Sequence, residues 1–256
     1  MHARVRAGVC LAGALLAMPI LGQDGDPLPI GSARAISSPG AYRLVADIEF
    51  DSTREVAIVI SASGVSLDLN GRQIKGPGGK QGIGIRITGA AGVKVSNGRI
   101  ADTAFGVVVE NSHNVTLMDL EIRGQGLAVT APPPETAIMI VQSRAVAVER
   151  NNISNVGLGV FVRGSQSWGN RIAGNTVTAG TNGVLGICYN PAPGDPKGPR
   201  GDLIYNNLIS GFGIGIQVSA SMANVFRENT IVFRSSAFES INANDLDMEN
   251  IKTHLQ

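Results

Sequence analysis

The side chains able to do chemistry fall on one recurrent phrase. Segments of alternating apolar residues run Gly92–Ile100, Asn114–Ile122 and Ala145–Ile153. Aligning their closing isoleucines puts Arg99, Glu121 and Asn152 in one file, with Gln73 before them. Asn97, Asp119 and Arg150 fall in a second file, and Ser96, Met118 and Glu149 in a third. Asp119, Glu121 and Glu149 are hard oxygen donors and form a candidate set for Ca²⁺. Arg150, Glu149, Asp119 and Glu121 are candidate catalytic residues. Carboxylates can move protons, and an arginine can act as a base if its pKa is strongly lowered. The competing expectation is a solvated face of stacked ion pairs, Arg99 with Glu121 and Asp119 with Arg150, which contributes little.

A second group lies on the neighbouring face. Glu110 and Arg163 take equivalent outer positions, and His113 and Arg144 share one bend. His2 and His254 stand near the chain ends, so His113 is the histidine placed to carry a proton near neutral pH. Arg99, Arg144 and Arg163 suit the carboxylates of an acidic sugar, and Tyr189, with Phe161 and Trp168, could stack on sugar rings. Val108, Met139, Phe161 and Leu185 read as an outward apolar stripe, which implies a covering loop, a partner or a homo-oligomer contact.

The element that must position these residues is a repeat. The closing apolar residues stand at 74, 100, 122, 153, 177, 209, 231 and 251, giving spacings of 26, 22, 31, 24, 32, 22 and 20. Periods of that size with strand-like alternation indicate a solenoid, here an all-β parallel β-helix of about eight coils. Each coil carries an earlier strand, such as Gly84–Ile87, Gly106–Val109 or Gly159–Val162, whose second and fourth residues point inward. Asn151, Asn175, Asn207 and Asn229 recur two residues before the closing position, as expected of a stacked amide ladder. Two coils carry Pro-containing insertions, 124–135 and 188–201.

The ends and the composition bound the rest. Residues 1–22, with Arg4 and Arg6 before an apolar run, read as a signal peptide, 23–40 as an irregular leader and 41–256 as a single β-helix domain with Ala41–Phe50 as its N-terminal cap. Removing Arg4 and Arg6 leaves 19 Lys and Arg against 20 Asp and Glu, a balance that argues against a nucleic-acid partner. No later segment is long and apolar enough for a transmembrane helix. Cys188 is then the only cysteine, so no intrachain disulfide can form. The implied location is periplasmic or secreted.

The stretch Gly40-Ala41-Tyr42-Arg43-Leu44, Ile58 and Ile60, followed by Gly64-Val65-Ser66-Leu67-Asp68-Leu69-Asn70-Gly71, resembles the start of secreted bacterial right-handed β-helix proteins of the pectate-lyase-like superfamily. The resemblance implies a right-handed coil. It also implies an outer groove that binds or processes an acidic polysaccharide by lyase, hydrolase or epimerase chemistry, often with calcium. The alternative is a non-catalytic scaffold of the cell envelope.

Overall fold

The computed structural model describes residues 26–126, 135–239 and 245–255. The expected signal peptide and Pro132-Pro133-Pro134 lie outside them. The chain forms a right-handed parallel β-helix of about nine turns, in which every strand pairing is parallel. Each turn has three strands. The first strands stack as Val56–Ile60, Ile83–Thr88, Phe105–Glu110, Thr136–Val141, Leu158–Arg163 and Leu185–Asn190. The second and third strands of two coils merge into the long elements Ala91–Ala101 and His113–Arg123, and separate again as Arg144–Glu149 and Asn152–Val156.

Alternation makes the core. Ile85 and Ile87, Val107 and Val109, Ile138 and Ile140, and Val160 and Val162 point inward and are fully buried. Each such side chain contributes roughly 1.5–3 kcal/mol, and its β-branch suits extended backbone. The second residue of each of these first strands is Gly or Ala because coils touch there. A Cβ on Gly106 would stand 2.5 Å from the Ala137 carbonyl oxygen and 2.8 Å from Ile122 Cγ2.

The bends are left-handed single residues. One file holds Asn114, Ala145, Gly169, Gly201 and Ala223, and another holds Asn97, Asp119, Arg150, Gly174 and Asn206. Buried polar ladders lie beside them. Asn151 N–H donates to Asn175 Oδ1 (2.9 Å), Asn175 N–H to Asn207 Oδ1 (3.0 Å), Asn207 N–H to Asn229 Oδ1 (3.1 Å) and Asn229 N–H to Asn250 Oδ1 (2.8 Å). The expected ladder is therefore present, one rung longer than the sequence pattern indicated. A second ladder, Asn170–Asp202–Asn224–Asp245, and a serine ladder, Ser112–Ser143–Ser167, run beside the first bend.

The N-terminal expectation needs correction. The supposed irregular leader contains strands Leu28–Ile30 and Arg34–Ile36, which pair with Gly40–Leu44 and Val56–Ile60. The supposed cap is itself a coil, since Gly40–Leu44 pairs with Val65–Asp68 and Ile48–Glu49 with Gln73–Lys75. Short strands in a polar, Pro-containing stretch lack the alternation that reveals the later coils.

Candidate functional site

At the second bend, Asp119 and Arg150 occupy left-handed positions in consecutive coils. Arg150 donates to both carboxylate oxygens of Asp119, Nε at 2.9 Å and Nη2 at 3.0 Å. Its Nη1 lies 3.8 Å from Glu149, which also pairs with Arg171. The hydrogen bond to Asp119 and the charge of that carboxylate raise the Arg150 pKa. This shift is opposite to the one a catalytic base needs. Asp119, Arg150, Glu149 and Arg171 therefore form a self-neutralised chain at the surface.

One strand further on, Lys75 pairs with Glu49 at 2.6 Å in the first coils, but the charges of the next coils are not matched. Gln73, Arg99, Glu121 and Asn152 stack in register on the outer face of the third strands. Arg99 donates to the Gly71 carbonyl at 3.4 Å, and no Arg99–Glu121 ion pair forms. Glu121 and Arg123 have no ion-pair partner among the described residues. With Asp102 and Gln125 they line a groove of about 470 Å³. Gln125 fixes its rim: its Nε2 donates to Gly79 O (2.9 Å) and its Oε1 accepts from Gly79 N–H (2.7 Å). Shared residues extend the groove toward the first coils. Gln73 also lines a hollow of about 250 Å³ with Asp47, Glu49 and Lys75, and Glu49 lines a wider one of about 770 Å³ with Phe50, Asp51 and Lys80. These three adjoining hollows, which share Gln73 and Glu49 as lining residues, are together called the furrow of the N-terminal coils.

The other candidate residues are dispersed. His113 is half-buried at the first bend, in register with Arg144, and lies across the second strand from the furrow. Arg144 stacks on Trp168, its Cζ 5.9 Å from the ring centroid. Arg163 is engaged by its own insertion, with Nε donating to Pro191 O at 3.3 Å and Cζ 5.8 Å from the Phe161 ring centroid. Asp119, Glu121 and Glu149 do not converge, and no group of three His, Cys, Asp or Glu able to hold a metal occurs among the described residues.

Tyr189 is a correction. It is fully buried, in register with the inward Val162, and cannot touch a substrate. The first strand of this coil is Leu185–Asn190, three residues later than an outward Leu185 implies, because both Gly183-Val184-Leu185-Gly186 and Gly186-Ile187-Cys188-Tyr189 fit the small–branched pattern. Cys188, not Leu185, therefore continues the outward file of Val108, Met139 and Phe161. Val108 and Cys188 are buried, so Met139 and Phe161, both half-buried, are what this stripe exposes. Arg123, Asp102 and Gln125 escaped the sequence reading. Extending the register one residue past the closing Ile122 would have placed Arg123 beside Lys75 and Ala101.

The profile of the family described as "Periplasmic copper-binding protein (NosD)" matches residues 61–245. The chain belongs to the NosD family. By sequence, no curated protein matches it. This NosD-family fold is similar to the crystal structure of alginate lyase from Paenibacillus sp. str. FPU-7, with a TM-score of 0.63 and 12% identity over 87% of this chain and 97% of that one. It is similar to DFA-IIIase from Arthrobacter chlorophenolicus A6, with a TM-score of 0.57 and 13% identity over 83% of this chain and 56% of the other, so it spans little more than half of that enzyme. It is also similar to endo-xylogalacturonan hydrolase from Aspergillus tubingensis, with a TM-score of 0.54 and 12% identity over 88% and 67% of the two chains. At these identities the likeness concerns the fold. No helix among the described residues is long and apolar enough to cross a membrane.

The described residues of this NosD-family chain do not fit a copper site. Copper favours clustered imidazole and thiolate donors, and no group of three His, Cys, Asp or Glu that could hold a metal ion occurs among the described residues. His113 and His254 are far apart in the fold, and His254 Nε2 bonds to the Arg234 carbonyl (2.8 Å). The Cys188 thiol is buried, its pKa pushed up to about 12 by desolvation, and it contacts Gln217 Oε1 at 3.5 Å.

Proposed function

We propose that this NosD-family chain binds an acidic polysaccharide along the furrow of its N-terminal coils and processes it there. The observation that carries the reading is the contrast in charge pairing. Around the second bend the arginines and carboxylates neutralise one another, whereas in the furrow Arg99, Arg123 and Glu121 stand together without ion pairs. Arg99 and Arg123 take uronate carboxylates, for which a guanidinium fork is well shaped. Glu121, flanked by both, is the group placed to move a proton at the bound sugar. The named activities of two fold neighbours, an alginate lyase and a xylogalacturonan hydrolase, support an acidic polymer as substrate.

The test is a panel of uronic-acid polysaccharides, with binding followed by calorimetry and cleavage by reducing ends and by the ultraviolet absorbance of unsaturated products. Turnover that Glu121→Gln abolishes while binding persists is expected, and chelation by EDTA should leave binding unchanged. A panel with no binding would overturn the reading.

The alternative is a non-catalytic envelope scaffold. The outer apolar cluster of Val56, Ile83 and Val108, with Val59, Phe105 and Met139 packed on it, favours this reading. A silent panel together with a dimer that Met139→Asp dissolves would establish it.

A further inference from the structure

We propose that a second acidic-glycan site, independent of the furrow, lies on the corner between the first and second strands and is built from Arg144, Trp168 and Arg200. Successive coils put these residues in one file, linked by the bridges Arg144–Trp168 and Trp168–Arg200, with Met222 next. Trp168 is the only tryptophan in the chain, and it is 43% exposed. An indole is costly to leave in water and is ordinarily covered. Arg144 lies against one side of it, and among the described residues neither Arg144 nor Arg200 has an ion-pair partner. An exposed ring between two unneutralised guanidiniums is complementary to a chain that presents both sugar faces and negative charge.

The file is held from beneath. Ser143 and Ser167 precede Arg144 and Trp168 and are buried, with Ser143 N–H donating to Ser167 Oγ at 3.2 Å. Two residues after Trp168 and Arg200 come Asn170 and Asp202, joined by the 2.7 Å bond from Asn170 N–H to Asp202 Oδ1. Left-handed residues follow each member, at Ala145 (φ 51°), Gly169 (φ 64°) and Gly201 (φ 65°), and turn the backbone sharply so that the preceding side chain projects outward. The site is therefore preorganised, and binding need not order its backbone.

Coils repeat at about 4.8 Å, so Arg144 and Arg200 stand about 10 Å apart with Trp168 between them. A pyranose can lay its C–H face on the indole while carboxylates on the flanking sugars reach the two guanidiniums. The polymer would run parallel to the solenoid axis. A neutral glycan would leave both arginines unused, and a ringless polyanion would leave the indole unused.

Trp168 is its own reporter. Short oligogalacturonates titrated into the mature chain should change its emission saturably and in a salt-sensitive way. The double change Arg144→Gln with Arg200→Gln should weaken that response about tenfold or more, since each removes a charge-assisted contact from an exposed position. The furrow change Arg99→Ala with Arg123→Ala should leave it intact, so failure of the furrow reading and failure of this one are separable. Calorimetry on Trp168→Ala in the Arg99→Ala, Arg123→Ala background supplies a readout without the fluorophore and should show the same loss. An absent emission change, an equal response to neutral oligosaccharides or to polyglutamate, or a response lost in the furrow variant would overturn the proposal.

Discussion

Beside the first bend the N-terminal coils carry Val93, Val115 and Val146, and the following coils continue the same file as Asn170, Asp202, Asn224 and Asp245. At the second bend Gly98 and Leu120 give way to Asn151, Asn175, Asn207, Asn229 and Asn250. The two halves thus close the same coil by different physics. Apolar rungs gain from burial and are indifferent to small shifts, whereas amide rungs fix each coil on the next through directional bonds that are expensive to leave unmade. The furrow and its unneutralised charges lie on the apolar half. Asp202, a buried carboxyl whose pKa is raised, lies in the polar half.

The largest expected effect breaks a polar rung. Asn207 accepts from Asn175 and donates to Ile172 O and Asn229 Oδ1, all at 2.9–3.0 Å. Asn207→Ala strands several buried polar groups and should cost about 3–5 kcal/mol in urea denaturation. Leu120→Ala, at the equivalent rung of the apolar half, creates a cavity and should cost about 2–4 kcal/mol.

Next comes pH. Desolvation raises the Asp202 carboxyl to about 7 despite the bonds from Asn170 and the neighbouring buried Tyr189 hydroxyl. Asn224 separates Asp202 from Asp245 in the same ladder. Because the folded value exceeds the unfolded one, the native state binds the extra proton. Stability is therefore highest below about pH 4 as far as this group is concerned, and declines as pH rises toward 7. Asp202→Asn should stabilise the protein by a few kcal/mol at pH 8, do little at pH 4 and flatten the profile between them.

Smaller still is Arg150→Ala. Its pairing with Asp119 is bidentate but exposed, so thermal melts should shift little, and less at high salt. A large loss of stability there would erase the distinction between the neutralised bend and the buried ladders.

The same contrast explains what the sequence disclosed. Inward residues repeat because each coil meets the same neighbour, so Ile122, Ile153 and Val177 announce the coil, and Asn151 to Asn229 announce the ladder. The second ladder was hidden because Val146 precedes Asn170 in the file and Asp202 interrupts the amides. Tyr189 was misplaced because two overlapping four-residue phrases fit the same strand, and only pairing with Val162 decides between them. Outward residues obey no repeat. The Asp119–Arg150 pair followed from register alone, but Arg99 and Glu121, equally well stacked, do not pair, since side-chain direction at the surface is not set by backbone register.

The most direct test of the furrow is a calorimetric titration of an oligouronide into the Arg144→Gln, Arg200→Gln chain, with and without Arg99→Ala and Arg123→Ala. Two charge-assisted contacts removed should weaken furrow binding by about a hundredfold or more, with the fold unchanged by circular dichroism. Equal affinity in the two proteins would show that the unneutralised arginines do not hold the polymer and would contradict the assignment of the furrow as its site.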